Sequence, residues 1–187
     1  MLNEVELGAF VDDRMGASLF RLETRDRYAV DSDAGNVARY LAGEPAPSMA
    51  VKGPWLRRLE RERAEGKRRT RVHVLRGPLS EYLRYECEWG YRYTAAAGEE
   101  IYILDLAERP GPDELIDEDF LLLDDRYVML VRYDDEDRFV GGDPLPAIEL
   151  TRYRRCRDAV LAAAVPFGDY WAAHPQYWRE NWSRAAD

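Results

Sequence analysis

Residues 66–91 read GKRRTRVHVLRGPLSEYLRYECEWGY, and this stretch decides the fold. From Arg69 to Leu75 the side chains alternate. Thr70, Val72 and Val74 point one way, and Arg69, Arg71, His73 and Leu75 point the other. A strand buried on both faces by hydrophobic neighbours would be a continuous apolar run, whereas this one carries two arginines and a histidine on one face. Gly77-Pro78 ends the strand, and Pro78 is placed to open a helix, where its missing N–H is not needed. Leu79, Leu83 and Cys87 then make an apolar stripe, with Glu86 at its edge. Arg84 and Glu88 are expected to pair on the outer face, and Tyr85 and Trp89 to stack on a third side.

Arg69, Arg71, His73, Arg84, Tyr85, Glu86 and Trp89 are therefore the candidate ligand- or partner-binding group. Two readings stand side by side. In one, strand and helix simply pack, with Arg71 and Glu86 paired. In the other, a ligand sits at the carboxyl end of the strand, where open α/β sheets bind theirs.

Working outward, Ser18–Glu23 reads as a strand that Tyr28–Val30 continues. Asp31 or Ser32 caps a helix to about Leu41, and Pro54 starts another that Gly66 stops. Residues 91–99 read as a loop. Ile101–Leu106 (IYILDL) has the apolar content of a central strand. Phe120–Leu123, Tyr127–Tyr133 and Arg138–Gly141 alternate with acidic turns and predict an antiparallel meander. A long helix over Leu145–Val165 follows, with Ile148, Tyr153, Cys156 and Val160 among its core candidates, and then an aromatic helix from Phe167 kinked at Pro175. The order β-α-α-β-α-β-β-β-β-α-α predicts an α/β domain, a mixed sheet flanked by helices. Residues 1–17 are expected as a flexible lead-in with a short helical turn near Val5 to Val11, 18–174 as the single domain and 175–187 as an aromatic helical tail.

The 187 residues suffice for one good core, and 46% apolar and 12% aromatic content excludes wholesale disorder. No apolar run is long enough to span a bilayer. The first residues lack the basic and apolar regions of a secretory signal, and Cys87 and Cys156 are isolated, so a reduced, cytoplasmic protein is expected. The net charge of −9 disfavours direct nucleic-acid binding, despite nine basic and three acidic residues between Arg57 and Arg76.

The chain carries two histidines and no GxSxG, P-loop, HExxH or dinucleotide fingerprint. No cofactor or metal site is expected. Asp117, Glu118 and Asp119 with Asp105 are the one acidic group compatible with a metal nuclease, without a lysine in the next strand to support it. The tail sequence Phe167, Tyr170, Trp171, His174, Trp178 has helical spacing, which fits a helix docked on the core or a partner-binding surface.

The segments FRLET, LAGEP, residues 66–91, AGEEIYILDL, DFLLLDDRYV, RYDDEDRF and AVPFGDYW together resemble an uncharacterised actinobacterial family of domains of unknown function, over Phe20 to His174. Members of that family are commonly encoded beside Xre-type helix-turn-helix regulators. The resemblance implies a regulatory context and carries no catalytic residues. A second, more remote likeness is to half of a phospholipase-D-like domain. With Asp124 at that superfamily's aspartate, Asp117 and Asp119 stand where its histidine and lysine should be. The likeness implies a degenerate copy used for binding.

The resulting expectation is a non-enzymatic cytoplasmic module that acts with a helix-turn-helix transcriptional regulator or binds a small anionic ligand. A phosphodiesterase- or nuclease-like hydrolase and a nucleic-acid-binding protein are the alternatives.

Overall fold

A computed structural model describes residues 1–29 and 35–184 of the chain. In chain order its elements are α1 (Glu4–Arg14), β1 (Ser18–Glu23), α2 (Asn36–Leu41), α3 (Met49–Ala64), β2 (Arg68–Leu75), α4 (Glu81–Tyr85), a π-helical segment (Glu86–Tyr91) and α5 (Arg92–Ala97). Then come β3 (Glu100–Asp105), β4 (Phe120–Leu123), β5 (Tyr127–Tyr133), β6 (Phe139–Pro144), α6 (Leu150–Ala163), β7 (Val165–Pro166) and α7 (Phe167–Ala173).

One seven-stranded mixed sheet organises them, in the order β6-β5-β4-β1-β2-β3-β7. The three strands β1, β2 and β3 are parallel neighbours, because helical crossovers join them. The expected meander β4-β5-β6 is antiparallel and extends the sheet from β1. The mixed α/β class expected from the sequence is therefore the observed one.

Alternation splits the sheet into two different faces. Phe20, Leu22, Val72, Val74, Phe120 and Leu122 lie on one face under Tyr153, Cys156 and Val160 of α6. The opposite face is apolar at its two ends only. Leu19, Leu121, Leu123 and Met129 pack against Val11 and Met15 at the α1 end. Ile101, Ile103 and Leu75 pack against Leu83, Cys87, Tyr91, Phe167, Tyr170 and Trp171 at the other. Between these two hydrophobic patches the face carries Arg21 and Glu23 of β1 and Arg71 and His73 of β2, in the phase that the alternation of residues 69–75 requires.

Several boundaries depart from the sequence reading. The lead-in at 1–17 contains α1, which Asn3 caps: its Oδ1 accepts from the Glu6 N–H at 3.0 Å, and Glu6 returns the bond at 2.9 Å. Leu2 also bridges Gly142 on the β6 edge. Ser80, and not Pro78, starts α4, because its hydroxyl accepts from Leu83 N–H. Pro54 lies inside α3 instead of opening it. The loop expected at 91–99 is helical, since Ala95, Ala96 and Ala97 are strong helix formers and Gly98, at φ 114°, provides the left-handed stop. The long helix expected over 145–165 is shorter. A 3-10 turn at Ala147–Glu149 precedes α6 and leaves Ile148 85% exposed, not in the core, while Val165 leaves the helix to pair with Ile103. Beyond His174 the tail forms two 3-10 turns, Pro175–Tyr177 and Arg179–Arg184, instead of one kinked helix. Val30 and the caps expected at Asp31 or Ser32 lie outside the described residues.

Candidate functional site

The polar stripe in the middle of the second face is the floor of a cleft of about 560 Å³. α1 borders it with Glu4 and Leu7, α3 with Lys52 and Trp55, and the helix after β2 with Tyr82, Tyr85, Glu86, Gly90 and Thr94. The meander closes it with Tyr133 and Phe139. The volume suits a small ligand, and the aromatic rings come from separate elements around one space.

Parallel pairing places Arg21 beside Arg71 and Glu23 beside His73. Two guanidiniums in adjacent register would repel unless anions lay between them, and two buried carboxylates supply this. Arg71 donates from Nη1 to both Glu23 oxygens at 2.9 and 3.0 Å, and from Nε and Nη2 to Glu99 Oε1 at 3.0 and 2.9 Å. Arg21 Nη2 lies 2.9 Å from the same Glu23. Burial alone would push the Glu23 carboxyl up. Arg21, Arg71, His73 and the Tyr91 hydroxyl outweigh it and hold it at about 2. The two guanidiniums differ in what they have left to give. Arg71 is saturated with carboxylates, whereas the Arg21 Nε is buried without a partner and the side chain remains 31% exposed at the cleft.

Beneath the floor, His73 is fully buried. Its Nε2 donates to the Arg25 carbonyl at 2.8 Å, since a carbonyl can only accept, and its Nδ1 meets the Tyr91 hydroxyl at 2.6 Å. The one proton of that hydroxyl lies between Nδ1 and Glu23 Oε2, the latter 2.9 Å from the hydroxyl oxygen on its other side. Burial lowers the His73 pKa against the opposing pull of Glu23 and the Arg25 carbonyl. On the far side of Glu23, Asp119 accepts from Tyr28 Oη at 2.7 Å and from Thr24 N–H at 2.8 Å. Burial pushes its carboxyl up against those bonds.

The structure divides the residues singled out from sequence. Arg71, Tyr85 and Glu86 line the cleft. His73 lies under it. Arg69 does not reach it: its Nε and Nη2 hold Glu62 of α3 at 2.5 and 3.1 Å, and its guanidinium lies over Trp55. Arg84 does not pair with Glu88. It donates to the Leu79 carbonyl and sits over the Tyr177 and Trp182 rings, while Glu88 accepts from the Arg179 N–H. Trp89 packs on Tyr40 and faces a different hollow. The expected pairing of Arg71 with Glu86 gives way to Glu23 and Glu99, although the Glu86 charge still raises the Arg71 pKa. The cleft also lies over the sheet face at β1 and β2 and not beyond the strand ends. Arg21, Glu23, Tyr28, Thr94 and Glu99 escaped the sequence reading. The signal was present in SLFRLE, where Arg21 and Glu23 alternate with Phe20 and Leu22 in the same phase as Arg71 and His73.

The acidic residues considered for metal chemistry serve separate local roles. Asp117 meets Arg76 at the surface, Glu118 accepts from Arg132 at 2.7 Å, Asp119 is bonded as described, and Asp105 accepts from the Tyr170 hydroxyl and the Ala107 N–H, each at 2.9 Å. Among the described residues no group of three or more His, Cys, Asp or Glu side chains is placed to share a metal ion. Both cysteines are free and buried, and burial raises their thiol pKa values away from the reactive range. Among the described residues no helix is long and apolar enough to cross a membrane.

No curated protein and no solved structure matches the chain. The family described as the domain of unknown function DUF6879 matches residues 6–172, a span that runs from within α1 into α7 and contains every cleft-lining residue except Glu4.

Proposed function

The chain belongs to the DUF6879 family, and on that premise we propose that it is a non-catalytic module that binds a small ligand in the cleft over β1 and β2, a planar molecule with an anionic group. One observation carries this reading. Arg21 keeps unused donor capacity at an aromatic-walled cavity, while its register neighbour Arg71 is saturated by Glu23 and Glu99. A carboxylate or phosphate completes Arg21 in the bidentate geometry that guanidinium favours. Tyr28, Tyr82, Tyr85 and Tyr133 offer faces and edges to a flat body.

The reactive side chains nearby support binding and not turnover. His73, Tyr91 and Asp119 are held in bonds within the protein, and Cys87 is buried with its pKa raised. The free, buried cysteines support a cytoplasmic location.

In this reading a protein partner senses the bound ligand. The family resemblance suggests a helix-turn-helix regulator. A hollow of about 980 Å³ bordered by Trp89, Trp171, Trp178, Arg92 and Arg179 offers the residue types that anchor interfaces.

A thermal-shift screen of planar carboxylates and phosphates on the intact protein tests the ligand. Binders raise the melting temperature according to mass action. A screen in which no compound does so contradicts the reading.

A further inference from the structure

We propose that the ligand of this cleft is an aromatic zwitterion, with its carboxylate at Arg21 and its amino group at Glu86 and Thr94. This rests on the cleft being a ligand site. It adds which charges the ligand carries and where.

The balance of charge comes first. The cleft wall carries four cationic and four anionic side chains. A site for a simple anion gathers an excess of positive charge, which raises the local concentration of its ligand. Glu23 is held by Arg21 and Arg71, and Asp134 by Arg138, so the wall offers no surplus of positive charge to a simple anion.

The two signs also have separate positions. Arg21 stands on β1, on the sheet floor. Glu86, Gly90 and Thr94 lie along the helix that follows β2. Arg71 lies between them, as register partner of Arg21 on one side and under the field of Glu86 on the other. A ligand spanning the floor therefore meets a guanidinium at one end and a carboxylate with a hydroxyl at the other.

Thr94 is the independent observation. It is 6% exposed and lines the cleft, yet its Oγ1 has no hydrogen-bond partner in the protein. Buried hydroxyls are almost always bonded, because desolvating one without compensation is costly. A ligand N–H donating to Oγ1 removes that penalty.

The helix is also shaped to hold Glu86 there. Glu86–Tyr91 is π-helical, a rare irregularity that is frequent at functional sites. A Cβ at position 90 would lie 2.7 Å from Glu86 Oε1 and 2.8 Å from its Cδ. Gly90 therefore lets the Glu86 carboxylate fold across the helix surface. The aromatic wall supplies the ring contact, and an aromatic α-amino acid is the smallest ligand with all three features.

Calorimetric titration of the intact protein tests this with L-tryptophan, L-tyrosine and L-phenylalanine, each beside its deaminated acid and its decarboxylated amine. At least one amino acid binds about tenfold or more tightly than both of its truncated counterparts. Glu86→Gln and Thr94→Val reduce that preference over the deaminated acid and leave affinity for the acid unchanged. Thr94→Val removes no bond within the protein, so its melting temperature does not fall, and it keeps the test informative if Glu86→Gln is unstable. Deaminated acids that bind as tightly as the amino acids overturn the proposal, as does a preference that survives both substitutions. Binding of other planar carboxylates or phosphates with none of these amino acids overturns the zwitterion alone. No binding by any compound overturns the cleft reading with it.

Discussion

Arg21 and Arg71 stand side by side on parallel strands, and Glu23 binds both. The pairing is asymmetric, since Arg71 has a second carboxylate in Glu99 and Arg21 does not. The same arrangement that stabilises the sheet centre leaves one guanidinium able to take an external anion. Fold and proposed function meet at this pair.

Arg71→Met should be strongly destabilising. It removes the cation from two carboxylates whose side chains are 3% and 5% exposed. Breaking a buried ion pair from one side costs about 3–5 kcal/mol. Urea denaturation at unchanged slope measures it, and a loss below about 1 kcal/mol would show that Glu23 and Glu99 find water or other partners.

Glu23 should make the fold acid-sensitive. Its folded pKa of about 2 is depressed from 4.5, so the unfolded chain takes up the proton first. The contribution is complete above pH 4.5 and is lost as pH falls toward 2, on the order of 3 kcal/mol in all. The stability gap between wild type and Glu23→Gln should narrow across that window. A constant gap would contradict the assignment. His73, held below its ordinary 6.5 by burial, adds a separate loss that begins as pH drops through that value.

Ile103→Ala tests the second core. Ile103 is 1% exposed and packs among the residues that join β3 to α4 and α7. A cost of about 2–5 kcal/mol is expected from its truncation. A change too small to measure by thermal melting would mean that this end of the sheet is loosely packed.

Gly90→Ala tests how Glu86 is held. The added methyl meets only the flexible end of Glu86, and alanine favours a helix over glycine by roughly 0.5–1 kcal/mol. The Glu86 carboxylate should be displaced from its place over residue 90 together with the contacts it makes there. A crystal structure of the variant with Glu86 unmoved would refute the role given to Gly90.

The sheet was legible because its signals are local. Residues 69–75 alternate, IYILDL is an apolar strand broken only by Asp105, and acidic turns at Asp124-Asp125 and Asp134 to Asp137 set the meander. The half of the site on β2 was legible for the same reason. The carboxylates that pair with it were not, because Glu23 and Glu99 lie 48 and 28 positions from Arg71, and only the parallel register brings them together. Glu86 stands at the edge of the apolar stripe of the adjoining helix and so was the natural partner to assign. The π-helical segment was equally hidden, since nothing in the composition of Glu86–Tyr91 separates it from an α-helical turn, and Cys87 and Tyr91 pack on the sheet in either.

The most direct measurement compares wild type and Arg21→Gln by calorimetric titration with the strongest binder from the screen. Arg21 contributes only one of the contacts to Glu23, which keeps Arg71 and Tyr91, so the variant is expected to fold. The account predicts that Arg21→Gln weakens binding by about tenfold or more, a loss of about 1.4 kcal/mol or more, with the melting temperature of the free protein little changed. Equal affinity in the two proteins would place the ligand elsewhere and contradict the central claim.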